Sequence, residues 1–237
     1  MQIEALEKRM TLSDQALDRI VDVIVRGDLK PGERVQEAVL ARQLGISRGP
    51  LREAIRQLEG RHLLVRTPHI GVRIANPSRA EILDFFMIRE ALEGVACRLA
   101  AERMSVEEID VLESVLSEHG KQEDVKTGGG YYQSPGDRDF HFKLIKGSRS
   151  QRLSDMLLGD LYHFLRIFRY RSSVKSGRAQ AAHMEHLAVL SAIRARDSHG
   201  AETAMRTHLQ HARLSLAQTF EEEARELATH ELPLAGE

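Results

Sequence analysis

The chain has 237 residues, enough for one large or two modest domains. Its 34 Lys and Arg against 35 Asp and Glu leave a net charge of −1, a balance that neither requires nor excludes a nucleic-acid partner. With 42% hydrophobic residues and a single cysteine, Cys97, it can fill a core but cannot close an internal disulfide or build a cysteine-rich zinc finger. No apolar run approaches the ~18 residues of a membrane span, and the opening MQIEALEKRM carries acids with no apolar stretch. The expected location is therefore the cytoplasm, with no membrane partner. The first ten residues read as a disordered arm.

Composition divides the chain at Asn76-Pro77-Ser78, a turn signal that also opens a helix. All eleven aromatic residues follow position 84, whereas residues 1–76 have none and hold 13 Lys and Arg against 10 Asp and Glu. Two domains are expected, 1–76 and 77–237. In the first, Leu12, Ala16, Leu17, Ile20, Val21, Ile24 and Val25 recur at helical spacing up to Gly27. Lys30-Pro31-Gly32 makes a turn, and a second helix runs from about Gln36 to Leu44, stopped by Gly45. A third follows Ser47, whose hydroxyl can cap it, with Pro50 in the first turn and Leu51, Ile55 and Leu58 on one face. Two short strand-like runs, Leu63–Val65 and Val72–Ala75, flank Thr67-Pro68-His69-Ile70-Gly71. Three helices and a small hairpin, in that order, form a winged helix-turn-helix.

The second half reads as helix throughout, an all-α bundle. Ser78-x-x-Glu81 and Ser105-x-x-Glu108 are capping-box patterns, and further helices fit about 137–147, 151–173, 178–197 and 199–229. Leu83, Phe86, Met87, Leu92 and Val95 read as core, and Cys97 as a small buried residue.

Between Arg42 and Arg73 lie seven arginines against two acids, Glu53 and Glu59. A recognition helix needs long cationic or polar groups at its N-terminal end, where they reach base edges while the helix terminus approaches phosphate. Ser47, Arg48, Gly49 and Arg52 supply them. Glu53, set among arginines, reads as a brace rather than a DNA contact. Without an aromatic to stack a base, this half suits double-stranded DNA rather than a single strand.

The turn Leu29-Lys30-Pro31-Gly32-Glu33-Arg34 and the helix Leu44-Gly45-Ile46-Ser47-Arg48-Gly49-Pro50-Leu51-Arg52-Glu53-Ala54 resemble the GntR family of bacterial transcription regulators. The resemblance implies base contacts from Arg48 and Arg52 and a wing tip, His69–Gly71, in the minor groove. Some members use an arginine near Ala38; here Arg42, one turn later, is the candidate substitute. The second half is similar to the ligand-sensing FCD domain of the FadR-type branch. Asp137-x-x-x-His141, with Phe140 before the histidine, matches that domain's D-x-x-F-H signature, and Glu185-His186 and His208-Leu209 match its last two histidine positions. Arg149-Ser150 stands where the family often has Gly-Asn, and the loop Thr127–Gly136 is longer than usual.

On a helix, Asp137 and His141 share a face, and His186 and His208 come from two further helices. One carboxylate and three imidazoles suit a divalent ion, Zn²⁺ or Ni²⁺ first and then Mn²⁺ or Fe²⁺. The resemblance implies a small organic acid as effector, with Arg89 as its cationic partner. His183 and His211 sit one turn from two of the candidate ligands, and His163 is a weaker candidate near the effector pocket. His62, His119, His199 and His230 read as surface residues. The expected function is a homodimeric, operator-binding transcriptional regulator, in the commoner mode a repressor, tuned by metal and carboxylate. A metal-dependent enzyme on the Asp and His set is the rival. It lacks an HExxH motif and a recognisable base, and leaves the first 76 residues unexplained. A regulator responding to the metal alone is the third reading.

Overall fold

The structure, a computed structural model, describes residues 10–159 and 161–230, with side chains as far as residue 226. Positions 1–9 of the expected ten-residue N-terminal arm lie outside the described residues. The chain divides into two compact units, Met1–Asn76 and Pro77–Glu237. Among the described residues no helix is long and apolar enough to cross a membrane.

In the first unit, α1 (Leu12–Arg26) starts on a capping box in which Thr11 and Asp14 satisfy each other's backbone N–H, and it stops at Gly27 in the left-handed region. Its buried Leu17, Ile20, Val21 and Ile24 lie on the face that packs on α3 (Arg48–Gly60). The intervening α2 (Glu37–Leu44) ends at Gly45, whose φ of 66° turns the chain within three residues into α3. Strands β1 (Leu64–Thr67) and β2 (Gly71–Ile74) pair antiparallel, with Leu64 opposite Ile74 and Thr67 opposite Gly71. The segment before α2 lies along β2: Val35 N–H donates to the Val72 carbonyl, and Ile74 N–H to that of Glu33. Three helices and a wing are therefore as the apolar periodicity implied. One detail differs. Ser47 occupies the N-cap position of α3, but its hydroxyl makes no capping bond.

In the second unit, α4 (Arg79–Arg103) and α5 (Val106–Lys121) both start on the expected capping boxes, at Ser78 and Ser105. Then come α6 (Glu123–Thr127), a 3₁₀ turn at Gly136–Arg138, α7 (Phe140–Gly147), α8 (Gln151–Leu158) and α9 (Leu161–Ser173). The bundle closes with α10 (Arg178–Arg194) and the long α11 (Ser198–His230). Helix α4 lies along α11, and α10 packs on both α11 and α5. Their shared core includes Cys97, Leu112, Leu116, Phe140, Val189, Ile193, Met205 and Leu209.

Three expectations are corrected here. The single helix over 151–173 is two, because α8 ends at Gly159, where a Cβ would meet the Asp155 carbonyl oxygen at 2.5 Å. The helix expected from 137 begins only at Phe140, capped by the side chain of Asp139. Met87, read as core, is 51% exposed, while Phe86 beside it is buried.

Ile55 on α3 is fully buried. Replacing it with alanine is expected to destabilise the first unit by about 2–5 kcal/mol. Because aromatic residues lie only in the second half, far-UV dichroism in urea would shift to lower midpoint while the near-UV aromatic signal keeps its own. Coincident, unshifted curves would contradict the packing of α1 on α3.

Candidate functional sites

The candidate DNA-facing side of the first unit is built on α3. Leu51, Ala54, Ile55 and Leu58 are its buried face, so Arg48, Gly49, Arg52 and Arg56 are left on the exposed one. The uncapped N-terminus carries backbone N–H groups and the positive end of the helix dipole, a natural place for a phosphate. Glu53 pairs with Arg56 at 2.6 Å, the bracing role its position suggested. Glu37 at the start of α2 lies 3.6 Å from Arg52 and 3.5 Å from Arg66 of β1. Arg66 also pairs with Glu59 at 2.8 Å. Arg42 is exposed on the last turn of α2. At the wing tip His69 has φ 63° and Gly71 φ 101°, so the turn joining the strands uses left-handed backbone at both residues.

In the second unit, His141 on α7, His186 on α10 and His208 on α11 are buried, and one ring nitrogen of each lies within 4.8 Å of the others. The other nitrogen of each ring is held from outside. Glu93 on α4 accepts from His141 Nδ1 at 2.5 Å, and Glu185 accepts from His208 Nδ1 at 2.7 Å. His186 Nδ1 lies 3.1 Å from the hydroxyl of Tyr131, in the loop before α7. A neutral imidazole carries one N–H. With Nδ1 committed to a carboxylate, His141 and His208 each present a bare Nε2, and His186 Nε2 stands 3.1 Å from that of His208. The stacked ring of Phe140, 4.3 Å from that of His186, closes one side.

Burial, reinforced by Arg169 and Arg89 and only partly offset by Glu93, pushes His141 down to about 3. Burial and the neighbouring rings likewise hold His186 well below the ordinary imidazole range. Burial also lowers His208, against the opposing pull of Glu185. Burial would raise both carboxylates, but charged and hydrogen-bonded partners override it. Glu93 is lowered by Arg89 and His141, and Glu185 by His208 and Arg178, the latter to about 2. Neutral imidazoles oriented by ionised carboxylates are the donor set of a divalent-metal site.

Arg89, Arg169 and Arg178 line the same cavity. Each has its own carboxylate: Arg89 pairs with Glu93, Arg169 with Asp139, and Arg178 with Glu185. Arg89 is 1% exposed, and its Nη1 is buried with no hydrogen-bond partner.

The structure thus brings together His141, His186, His208 and Arg89, but not Asp137. Because α7 starts at Phe140, Asp137 sits in the preceding 3₁₀ turn, its side chain 90% exposed and 3.5 Å from Lys143. His119, read as a surface residue, is buried between Tyr131 and the Arg138 carbonyl. His211 is exposed and bonded to Glu185, and His183 stands beside Tyr131; neither belongs to the triad. His163 is buried on α9 outside the cavity lining. The residues missed were the outer partners. Glu93 is one turn beyond Arg89 and so was legible as a helix-face neighbour; Glu185 adjoins His186 in sequence but serves His208 of another helix, a pairing that spacing alone does not show. Tyr131, placed by a loop, gave no signal.

The FCD domain family matches residues 84–211, and the family described as bacterial regulatory proteins, gntR family, matches residues 12–74. The HTH-type transcriptional repressor GlaR of Escherichia coli is 31% identical over 78% of this chain and 87% of that protein. The HTH-type transcriptional regulator YdhC of Bacillus subtilis is 29% identical over 88% of this chain and 92% of its own length. The solved structure of E. coli McbR/YncC has a TM-score of 0.72 at 20% identity, covering 90% of this chain and all of that one, which shows the shared fold. These relatives are regulators rather than enzymes. The chain belongs to the GntR family of bacterial regulatory proteins, as a DNA-binding transcriptional regulator that carries an FCD domain.

Proposed function

We propose that this regulator is a homodimeric repressor whose FCD domain holds a divalent metal on His141, His186 and His208 and senses a small carboxylate beside it. The observation that carries this reading is the convergence of three buried, neutral imidazoles whose outer nitrogens are tied to Glu93, Glu185 and Tyr131. His186 Nε2 and His208 Nε2 stand 3.1 Å apart, a pair that either one shared N–H or, with the His186 proton on Nδ1, a cation can join. A divalent ion there, Zn²⁺ or Ni²⁺ ahead of Mn²⁺ or Fe²⁺ by its nitrogen ligands, supplies a Lewis-acidic position that a carboxylate oxygen can share.

The chain's own residues supply the rest. Arg89 Nη1, buried and without a partner, is the donor that a carboxylate in the cavity would satisfy. The effector's differential affinity for the DNA-competent and incompetent arrangements then sets their populations. Relatives named as repressors, GlaR and RspR of Escherichia coli, favour relief of repression as the mode. For the homodimer the support is the exposed pair Met87 and Ile88 on α4, which leaves apolar surface for a second copy. Each recognition helix would then enter one half-site of a pseudo-palindromic operator. In that groove Arg48 and Arg52 are the base-reading candidates, with Ser47, Gly49, Arg42 and the His69–Gly71 wing tip at the backbone and minor groove.

Arg48→Ala is expected to weaken operator binding by about 1–3 kcal/mol and to relax preference at one base position. Unchanged binding in a titration with labelled operator would remove Arg48 as a reader. Elemental analysis should find one divalent ion per wild-type chain and a loss of it in His186→Ala. A panel of small carboxylates should then raise the melting temperature of the loaded wild type only.

The depressed histidines also set a pH dependence. At pH 5.5 three ordinary imidazoles would each be about 90% protonated, and metal affinity would fall on the order of a thousandfold from its value at pH 7.5. Because the folded-state values of all three rings lie below the ordinary one, protons compete with the metal only at lower pH than they would at free imidazoles. The expected loss is less than about tenfold. A thousandfold loss in a chelator-competition titration would mean that the rings titrate as free imidazoles.

A further inference from the structure

His119 has no place in the metal-ligand set, yet it is buried and both of its nitrogens are engaged. Its Nε2 lies 2.9 Å from the backbone carbonyl of Arg138. A carbonyl only accepts, so Nε2 carries the ring's single proton and Nδ1 is bare. That bare nitrogen is 3.0 Å from the Tyr131 hydroxyl, whose other close partner is His186 Nδ1 at 3.1 Å. His183 Nδ1 is a more distant third neighbour at 3.5 Å. The hydroxyl has one hydrogen to give. If it is spent on His186, two lone pairs face each other between Tyr131 and His119. If it is spent on His119, then His186 donates from Nδ1 to the tyrosine oxygen, and the facing lone pairs are those of His186 and His208 Nε2. The network is one hydrogen short in either direction, and a cation between the Nε2 atoms removes the deficit only in the second.

We propose that Tyr131 and His119 are positioning residues of the histidine site. The chain from His186 Nδ1 to Tyr131, from Tyr131 to His119 Nδ1, and from His119 Nε2 to the Arg138 carbonyl holds His186 in the tautomer with a bare Nε2. This rests on the metal reading above and deepens it: the neutral third ligand, lacking a carboxylate, is oriented by a relay that ends on the backbone just before α7. The tautomer of His186 changes along this relay with no change in the number of protons. Burial keeps the Tyr131 hydroxyl protonated, since it raises the group well above the ordinary phenol value. The loop is placed for the task. Tyr131 N–H donates to Ser173 Oγ at 2.8 Å, and a Cβ on Gly130, at φ 137°, would meet the Tyr170 ring at 2.9 Å, so the residue before Tyr131 must be glycine.

The test is a Zn²⁺ titration of the full, metal-stripped chain against a chromogenic chelator. Tyr131→Phe, which deletes one oxygen, should weaken Zn²⁺ about tenfold or more, as loss of an outer partner of a metal-bound histidine does. His119→Leu should weaken it similarly in the wild type and add nothing in the Tyr131→Phe background, because both act through one bond. His119→Asn, whose carbonyl oxygen can accept in place of Nδ1, should recover most of the affinity. Additive losses, or wild-type affinity in Tyr131→Phe, overturn the inference while the metal site stands, provided His186→Ala loses the ion. A wild type that binds no Zn²⁺ overturns both. A direct readout keeps the test decisive if His119→Leu does not fold. In the Zn²⁺-loaded wild type, imidazole ¹⁵N shifts should place the proton on Nδ1 of His186 and on Nε2 of His119; any other pair of tautomers overturns the relay.

Discussion

Three imidazole rings, sealed from water and turned so that their free nitrogens face one another, constrain everything around them in the second unit. Such a cluster has no stable neutral arrangement of its own beyond a single shared N–H. The surroundings therefore supply fixed acceptors to the far side of two rings, Glu93 and Glu185, and a hydroxyl to the third. Those acceptors come from α4 and α10, while the histidines sit on α7, α10 and α11, so four helices are tied by one polar knot at the centre of an otherwise apolar bundle. Polar groups buried this deeply are tolerated only when each is satisfied, and a nearly complete network rigidifies the elements that contribute to it.

The same carboxylates serve a second purpose. Glu93 holds Arg89 with one oxygen and His141 with the other, Glu185 pairs with Arg178 through both oxygens while also accepting from His208, and Asp139 neutralises Arg169. Three guanidinium groups can thus line a small cavity without driving the neutral rings apart or demanding a permanent anion. A carboxylate of the kind proposed as effector would meet donors already oriented, with little side-chain entropy left to lose.

Much of this was legible in the sequence, and the failures have one cause. Capping boxes at Ser78 and Ser105, the stop at Gly45 and the apolar stripe of α3 are local signals, and each appears where the residues put it. The three histidines were legible because they stand at the signature positions of the FCD domain that the second half resembles. Asp137 failed because the four-residue rule holds only inside a helix, and the chain enters α7 three residues too late for it to apply. His119 and Tyr131 failed for a related reason. Whether a histidine is buried depends on a loop folding over it, and a loop has no period to read.

One acid on the DNA-facing side has a consequence of a different kind. Glu37 stands between Arg52 of the recognition helix and Arg66 of the wing, near enough to both to offset part of their charge. Attraction to a DNA backbone is chiefly the release of ions condensed on phosphates, so it scales with the cationic charge that reaches them. Sharing one carboxylate between two arginines reduces that number below the count of arginines on the surface. On the proposed DNA contacts, arbitrary DNA would release fewer ions to this unit, and a site would be held to the extent that its bases or phosphates draw Arg52 from Glu37 and Arg66 from Glu37 and Glu59. A single misplaced-looking negative charge would thus trade general adhesion to the duplex for contrast between one stretch of it and the next.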